Sequence, residues 1–234
     1  MDLVESAQIF NERKDNDIMK RLIAFSVIAV ALCAAADKVA IKFEIPPPHS
    51  SGTPKEVKSD NLEPDPGPGK YRAPIMVPSG FDKKISTEDT VVTTSEEAVT
   101  GDNEFVVDAD KTPDATCMLQ LPGGVQWVQL DLGAEKTVSA VCVWHDQGDE
   151  RVYKDVIVQL SNDAKFATGV TTIFNNDHDN SSKLGKGTDK EYRERNDGRP
   201  IDGKMTKARY VRCYSAGSTS EPVNNYVEIE VFGK

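Results

Sequence analysis

The sequence predicts an all-β protein, an antiparallel sandwich of about eight strands, and three observations lead there. Short runs of alternating apolar and polar residues recur from about residue 90 onward, Gly, Pro, Asp and Asn cluster between them, and no segment sustains a 3.6-residue apolar period. Alternation at period two turns one face of a strand to a core and the other to water. Turn residues at short intervals bring the chain back for antiparallel pairing.

The expected strands are Thr90 to Thr94, Glu104 to Val107, Trp127 to Leu132, Val138 to Trp144, Val156 to Leu160, Val170 to Phe174, Arg209 to Tyr214 and Tyr226 to Phe232. The clearest is Gln126-Trp127-Val128-Gln129-Leu130-Asp131-Leu132-Gly133, where Val128, Leu130 and Leu132 share a face and Gln129 and Asp131 point away. Asp131 reads as a turn or structural acid. In the last strand Val227, Ile229 and Val231 are expected inward and Glu228 and Glu230 outward. The stretch 74–234 is long enough for one core and one domain.

Residues 1–36 read as a leader and secretory signal peptide. Met19-Lys20-Arg21 precedes the apolar run Leu22 to Ala36, which closes in Ala34-Ala35-Ala36 before Asp37. The run is shorter than the roughly 20 residues a membrane helix needs. Acids fill residues 1–18 where a signal wants bases, which points to translation starting at Met19. A lipid anchor on Cys33 is the rival reading, and Leu32 opposes it by occupying a position that wants a small residue. The expected location is therefore secreted, periplasmic or cell-surface. Residues 37–73, rich in Pro with Ser, Lys, Asp and Gly, are expected to form a disordered linker, because they offer too few apolar side chains to offset chain entropy.

Charge and cysteine usage narrow the function. The chain carries a formal net charge of −10 and has no block of Lys and Arg. Nucleic acid is excluded on that basis, and an acidic membrane surface is a poor partner. With Cys33 in the signal, Cys117, Cys142 and Cys213 remain, an odd number that allows at most one internal disulfide. They read as buried thiols, with Cys213 facing the core in phase with Val211 and Cys142 out of phase with Val141 and Val143.

Two loops carry the candidate ligand residues. In the first, Trp144, His145, Asp146, Arg151 and Tyr153 combine rings that can cover the C–H face of a sugar with groups that can bond its hydroxyls. The bland reading has Trp144 capping the core and His145 and Arg151 solvated. In the second, Asn175 to Ser182 is an unbroken polar run containing Asn176, Asp177 and His178, with Tyr192 and Arg195 following. It reads as a ligand loop, as an oxygen-rich metal loop, or as a plain solvated loop. Zinc is disfavoured, since the domain offers only His145 and His178 and no paired Cys. No nucleophile elbow, phosphate-cradling loop or zinc-hydrolase helix is present, so no catalytic residue is assigned and no enzyme is expected.

Taken in order, QWVQLDLG, KTVSAVCVWH, KDVIVQLSND, KARYVRCYS and NYVEIEVFGK resemble the discoidin, or coagulation-factor type C, family of the galactose-binding-like folds, over residues 74–234. The resemblance implies a jelly-roll sandwich whose loops at one end bind a ligand, often a sugar in secreted bacterial members. It also implies a structural Ca2+ held near an Asp-Gly turn with a glutamate from the last strand. Carried over, these positions are Asp108, Asp110 and Glu228, with Ala109 replacing the glycine and Cys117 the family's tryptophan. A cage of six to eight oxygens would need further carbonyls, and Ala109 restricts the bend. The acids read equally as solvated turn and edge residues. The function expected is a secreted, non-catalytic carbohydrate-binding module, and the alternative is a cell-surface or periplasmic module that binds protein.

Overall fold

The computed structural model describes residues 37–49, 56–57, 59–67 and 69–234. Two long strands, β6 (Gln126–His145) and β9 (Arg199–Ser215), set its architecture. They pair antiparallel twice, from Gln126↔Ser215 to Asp131↔Tyr210 and again from Lys136↔Ala208 to Val143↔Arg199, with irregularities between. Each half serves a different sheet. Beside the first half lie β4 (Val91–Thr94), paired to β6, and β7 (Ile157–Ser161) with β8 (Thr171–Asn175), reached through β9. Beside the second half lies β10 (Asn224–Gly233), flanked by β3 (Lys83–Lys84) and β5 (Leu119–Leu121). Every pairing between these strands is antiparallel, and the fold is the antiparallel β-sandwich that the sequence predicts.

Alternation explains the core. Val128 and Leu130 from the first half of β6 meet Val141 and Val143 from the second, together with Val158, Leu160, Val211, Ile229 and Val231, in one buried cluster. Each such side chain stabilises the fold by about 1.5–3 kcal/mol relative to exposure. The expected strands Trp127–Leu132 and Val138–Trp144 are therefore two halves of a single strand. They are joined through Gly133, whose φ of 79° suits glycine and permits the bend.

Three expectations change. Glu104 to Val107 is not a strand but is replaced by a 3₁₀ turn, Asn103–Val106, in which Phe105 N–H donates to Asp102 O and Val107 N–H to Glu104 O. Val106 and Val107 are both buried, and consecutive strand residues cannot both face one side. In β10 a bulge between Tyr226 and Glu228, opposite His145 and Trp144, moves Tyr226 into the core and Val227 to the other face. Glu228 and Glu230 do face away from the core, but both are buried rather than solvated.

The third change explains that burial. The segment expected to be a linker packs on the outer face of the second sheet. β1 (Lys38–Ala40) pairs with β2 (Met76–Pro78), Ile41 joins Val77, Ala140 and Phe232 in a second apolar cluster, and Phe43 meets Trp144 and Phe232 edge to face. Farther along, the Arg72 guanidinium bonds Glu63, Asp197 and the carbonyls of Gly198 and Arg193. Arg199 reaches Glu63, and Ser59 donates to Glu191. Contacts group Lys38–Lys234 as one unit. Apolar residues alternating at Val39, Ile41, Phe43 and Ile45, plus paired charges, supply the stabilisation that the prolines lack.

Cys117, Cys142 and Cys213 are free thiols. Cys213 lies in the main core, and Cys142 lies on the opposite face beside Trp144. The leader, the signal residues and Cys33 fall outside the described residues. Among those described, no helix is long and apolar enough to cross a membrane.

Gly198 adopts φ +60°, and a Cβ there would lie 2.5 Å from the Trp144 ring. Gly198→Ala is expected to destabilise the protein by about 2–4 kcal/mol through left-handed strain and collision with a fixed indole. Urea denaturation measures it, and a loss under about 0.5 kcal/mol would show that the Trp144 wall yields.

Candidate functional site

The links that leave β6, enter β9 and join β9 to β10 meet at one end of the sandwich. Lys154 N–H donates to Gly217 O, Ala216 N–H to Lys154 O, Thr219 N–H to Val152 O and Glu194 N–H to Arg151 O, at 2.8–2.9 Å. This lacing fixes the first predicted loop and decides what its side chains can do.

Most of that loop is spent on structure. Trp144 is fully buried, its indole N–H donates to Asn196 O at 3.0 Å, and Lys111 Nζ sits 4.5 Å over the ring. Trp144 is thus packed beneath the amino-terminal segment and is no sugar platform. Arg151 bonds Asp149 at 2.6 Å, lies 3.0 Å from Asp146 and also pairs with Glu221, so its donors are committed to three carboxylates. Asp146 in turn accepts from Gly148 N–H, and burial raises its pKa despite the neighbouring arginine. Tyr153 and Tyr226 enclose the His145 ring at 4.4 and 4.6 Å, and His145 Nδ1 bonds Glu194 Oε1 at 2.8 Å.

The second predicted loop is likewise self-contained. Asn176 Oδ1 accepts from Val156 N–H at 2.7 Å, and Asp177 accepts from Ser181 and Ser182 N–H. His178, half-buried, is not brought to the first loop's ring cluster. The carboxylates of Asp155, Asp177 and Asp179 gather within 4.8 Å, yet Ser181 Oγ already donates to Asp155 and the loop's own N–H groups to Asp177. Tyr192 is buried in the core under the guanidiniums of Arg72 and Arg199.

What remains open is a cavity of about 290 Å³ at this end, walled by Gln147, Glu150 and Glu194 on one side and by His49, Asp65 and Tyr71 on the other. Arg195, the one predicted ligand residue on its lining, holds the second wall in place by donating to Asp65 Oδ1 at 2.9 Å and Lys70 O at 2.5 Å. Gln147 and Glu194 are buried, and Gln147 Nε2 and Glu194 Oε2 have no hydrogen-bond partner among the described residues. Buried polar atoms in folded proteins rarely lack partners, and leaving one unpaired costs about 1–3 kcal/mol. Tyr71, 49% exposed, gives the cavity an aromatic face.

The expected calcium ligands adopt only part of a site. Ala109 takes φ 69°, the conformation its family counterpart glycine would adopt freely, and its N–H donates to Glu228 Oε2 at 3.1 Å. Glu228 Oε1 is buried without a partner among the described residues, which an ion would satisfy. Against this, Asp108 and Asp110 each accept a backbone N–H two residues on, and the three carboxylates do not close into a metal-sized group. Lys111, bonded to Glu230 at 3.0 Å, already brings positive charge to this region. The residues do not fit a three-carboxylate calcium cage.

The F5/8 type C domain family matches residues 90–229. No curated protein matches the chain. Among solved structures, it is similar to the CBM32 of AlyQ in complex with 4,5-unsaturated mannuronic acid, at 23% identity over 61% of this chain and 93% of that one, TM-score 0.45. It is also similar to chitosan-binding module 1 from a chitosanase/glucanase of Paenibacillus sp. IK-5, at 20% identity over 64% and 99%, TM-score 0.48. A mutant lectin binding domain of Lectinolysin complexed with Lewis b matches at 19% over 65% and 96%, TM-score 0.46.

Burial, reinforced by Glu230, raises the Glu228 pKa from 4.5 to about 8. A raised carboxyl pKa means the native state holds a proton that the unfolded chain has released. The contribution of Glu228 to stability is therefore greatest below about pH 4.5 and declines between there and about pH 8, on the order of 2–4 kcal/mol in all. Glu228→Gln is expected to flatten that decline in melting temperature, and 5 mM calcium, well above the weakest extracellular sites, to leave the wild-type value unchanged. A calcium-induced rise that Glu228→Gln abolishes would restore the ion.

Proposed function

The chain belongs to the F5/8 type C, or discoidin, domain family, and on that premise we propose that it is a non-catalytic module that holds a carbohydrate at the loop end of its sandwich. The observation that carries this reading is the loop-end cavity, where the exposed acids Asp65 and Glu150 stand beside the exposed ring of Tyr71. A sugar offers the matching chemistry. Its hydroxyls can donate to the exposed carboxylates of Asp65 and Glu150, and its C–H face can lie on Tyr71. At about 290 Å³ the cavity is at the small end of ligand pockets, which suits one or two rings rather than a long buried chain.

The walls are fixed before binding by Arg195 and by the lacing of the loops, so little ordering entropy is lost on association. His145, stacked on Tyr153, tilted against Tyr226 and bonded to Glu194, holds a carboxylate in place and activates no nucleophile.

A glycan array spanning neutral, amino and uronic-acid sugars tests the reading. The wild type is expected to bind at least one class, and Tyr71→Ala to weaken that binding about tenfold, the scale of one lost ring contact. Failure of the wild type to bind any glycan sinks it. The proposal also places the protein outside the cytoplasm, on the strength of residues 19–36. Cleavage after Ala36 would leave β1, which begins at Lys38, intact. Amino-terminal sequencing of the exported protein is expected to begin at Asp37, whereas a mature chain still beginning at Met1 or Met19 would remove the secretory assignment.

A further inference from the structure

Tyr71 belongs to more than one hollow. Its exposed ring lines the loop-end cavity and also a second one of about 390 Å³, where Pro64, Pro66, Ala73 and Pro200 supply apolar surface and Glu63 and Arg199 polar groups. Residues 64–66 part the two: Asp65 lines the first, while Pro64 and Pro66 line the second, the alternation of an extended segment. This partition is anchored at both ends. Glu63 N–H donates to Glu191 O at 2.8 Å, and its carboxylate accepts from Arg72 Nε at 3.0 Å and Arg199 Nη1 at 2.5 Å. Arg195 holds Asp65 and the Lys70 carbonyl. Pro64 and Ala73 are exposed, and the Glu63 and Arg199 side chains, 21% and 16% exposed, reach the surface of the second hollow. Most of its wall, residues 63–73, precedes the stretch 90–229 that matches the family, so this hollow is an addition made by the amino-terminal segment.

Resting on the carbohydrate reading above, we infer that the ligand is an internal stretch of a linear polysaccharide that crosses Tyr71 and occupies both hollows, rather than a terminal sugar held in the loop-end cavity alone. A ring seated in the first hollow with its C–H face on Tyr71 has its chain neighbours at the ridge. Beyond that ridge, C–H faces meet Pro64, Ala73 and Pro200, and hydroxyls meet the accessible parts of Glu63 and Arg199. The anchored partition is in place before binding, so each further ring adds contact without ordering the protein.

Titration calorimetry of the full chain with disaccharides and hexasaccharides of β-1,4-linked glucose, mannose and N-acetylglucosamine and of α-1,4-linked galacturonate tests this. In a series that binds, affinity is expected to rise about thirtyfold or more from disaccharide to hexasaccharide, against the roughly fivefold that counting overlapping registers supplies. Ala73→Leu and Ala73→Gln fill the second hollow from an exposed position with an apolar and a polar side chain. Each, checked for an unchanged melting temperature, is expected to bring the ratio down to about that fivefold. A wild-type ratio no greater than this, or a ratio that either variant leaves intact, overturns the two-hollow site and leaves the carbohydrate reading standing. A hit on the glycan array with no heat from any series overturns it in the same way. No heat from any series, with no binding on the array, overturns both.

Discussion

The pairing of β6 with β9 is the constraint on which the rest depends. Of the other strands in the sandwich, β4 and β10 pair with β6 and β7 pairs with β9, so a one-residue slip between the two would turn every apolar side chain on one of them to the wrong face. The register is pinned by side chains. Gln129 and Arg212 are cross-strand partners whose side chains bond directly, and the Arg212 guanidinium lies 4.1 Å from both the Trp127 and Phe166 rings. Near the bend, Asp131 receives two hydrogen bonds from Arg209, which lower its pKa. That acid is structural, as the sequence predicts, and it works at the point where the strand changes sheets.

The bend also creates the need for a third layer. Once the second half of β6 crosses to the other sheet, Ala140, Cys142 and Trp144 face outward, and so do Val227 and Phe232 of β10. The amino-terminal segment covers this surface with Ile41 and Phe43 and ties itself down through Arg72 and Arg199. The cavity follows from the same event, because the chain that roofs the outer face continues past the loop end and supplies His49, Asp65 and Tyr71 as the second wall.

Strands with strict alternation were legible, and the reasons are local. Val128, Leu130 and Leu132 declare their face within six residues, whereas the bulge at Tyr226 that reverses Val227 depends on its partner strand. The 3₁₀ turn at Asn103–Val106 was hidden because a short apolar run has no period to read. Loop residues that read in the sequence as free groups are committed to structure. Arg151 lies among Asp146, Asp149 and Glu221, and the last of these is remote in sequence. Glu194 and Gln147 stood beside named residues with no motif to mark them. Tyr71 and Asp65 were lost to a compositional judgement, although Val39, Ile41, Phe43 and Ile45 alternate plainly enough to have announced a packed strand.

The match to the family begins at residue 90, while the cover over Trp144 begins at Lys38. A protein trimmed to the sandwich alone would keep its inner core but bare Phe232, Ala140, Cys142 and Trp144 together, with Glu230 losing the shelter that Glu44 and Lys111 share with it. Contiguous apolar surface of that kind drives self-association. The amino-terminal segment thus shields the one outer face that the bend in β6 makes apolar, a role that follows from geometry and holds whatever the cavity binds.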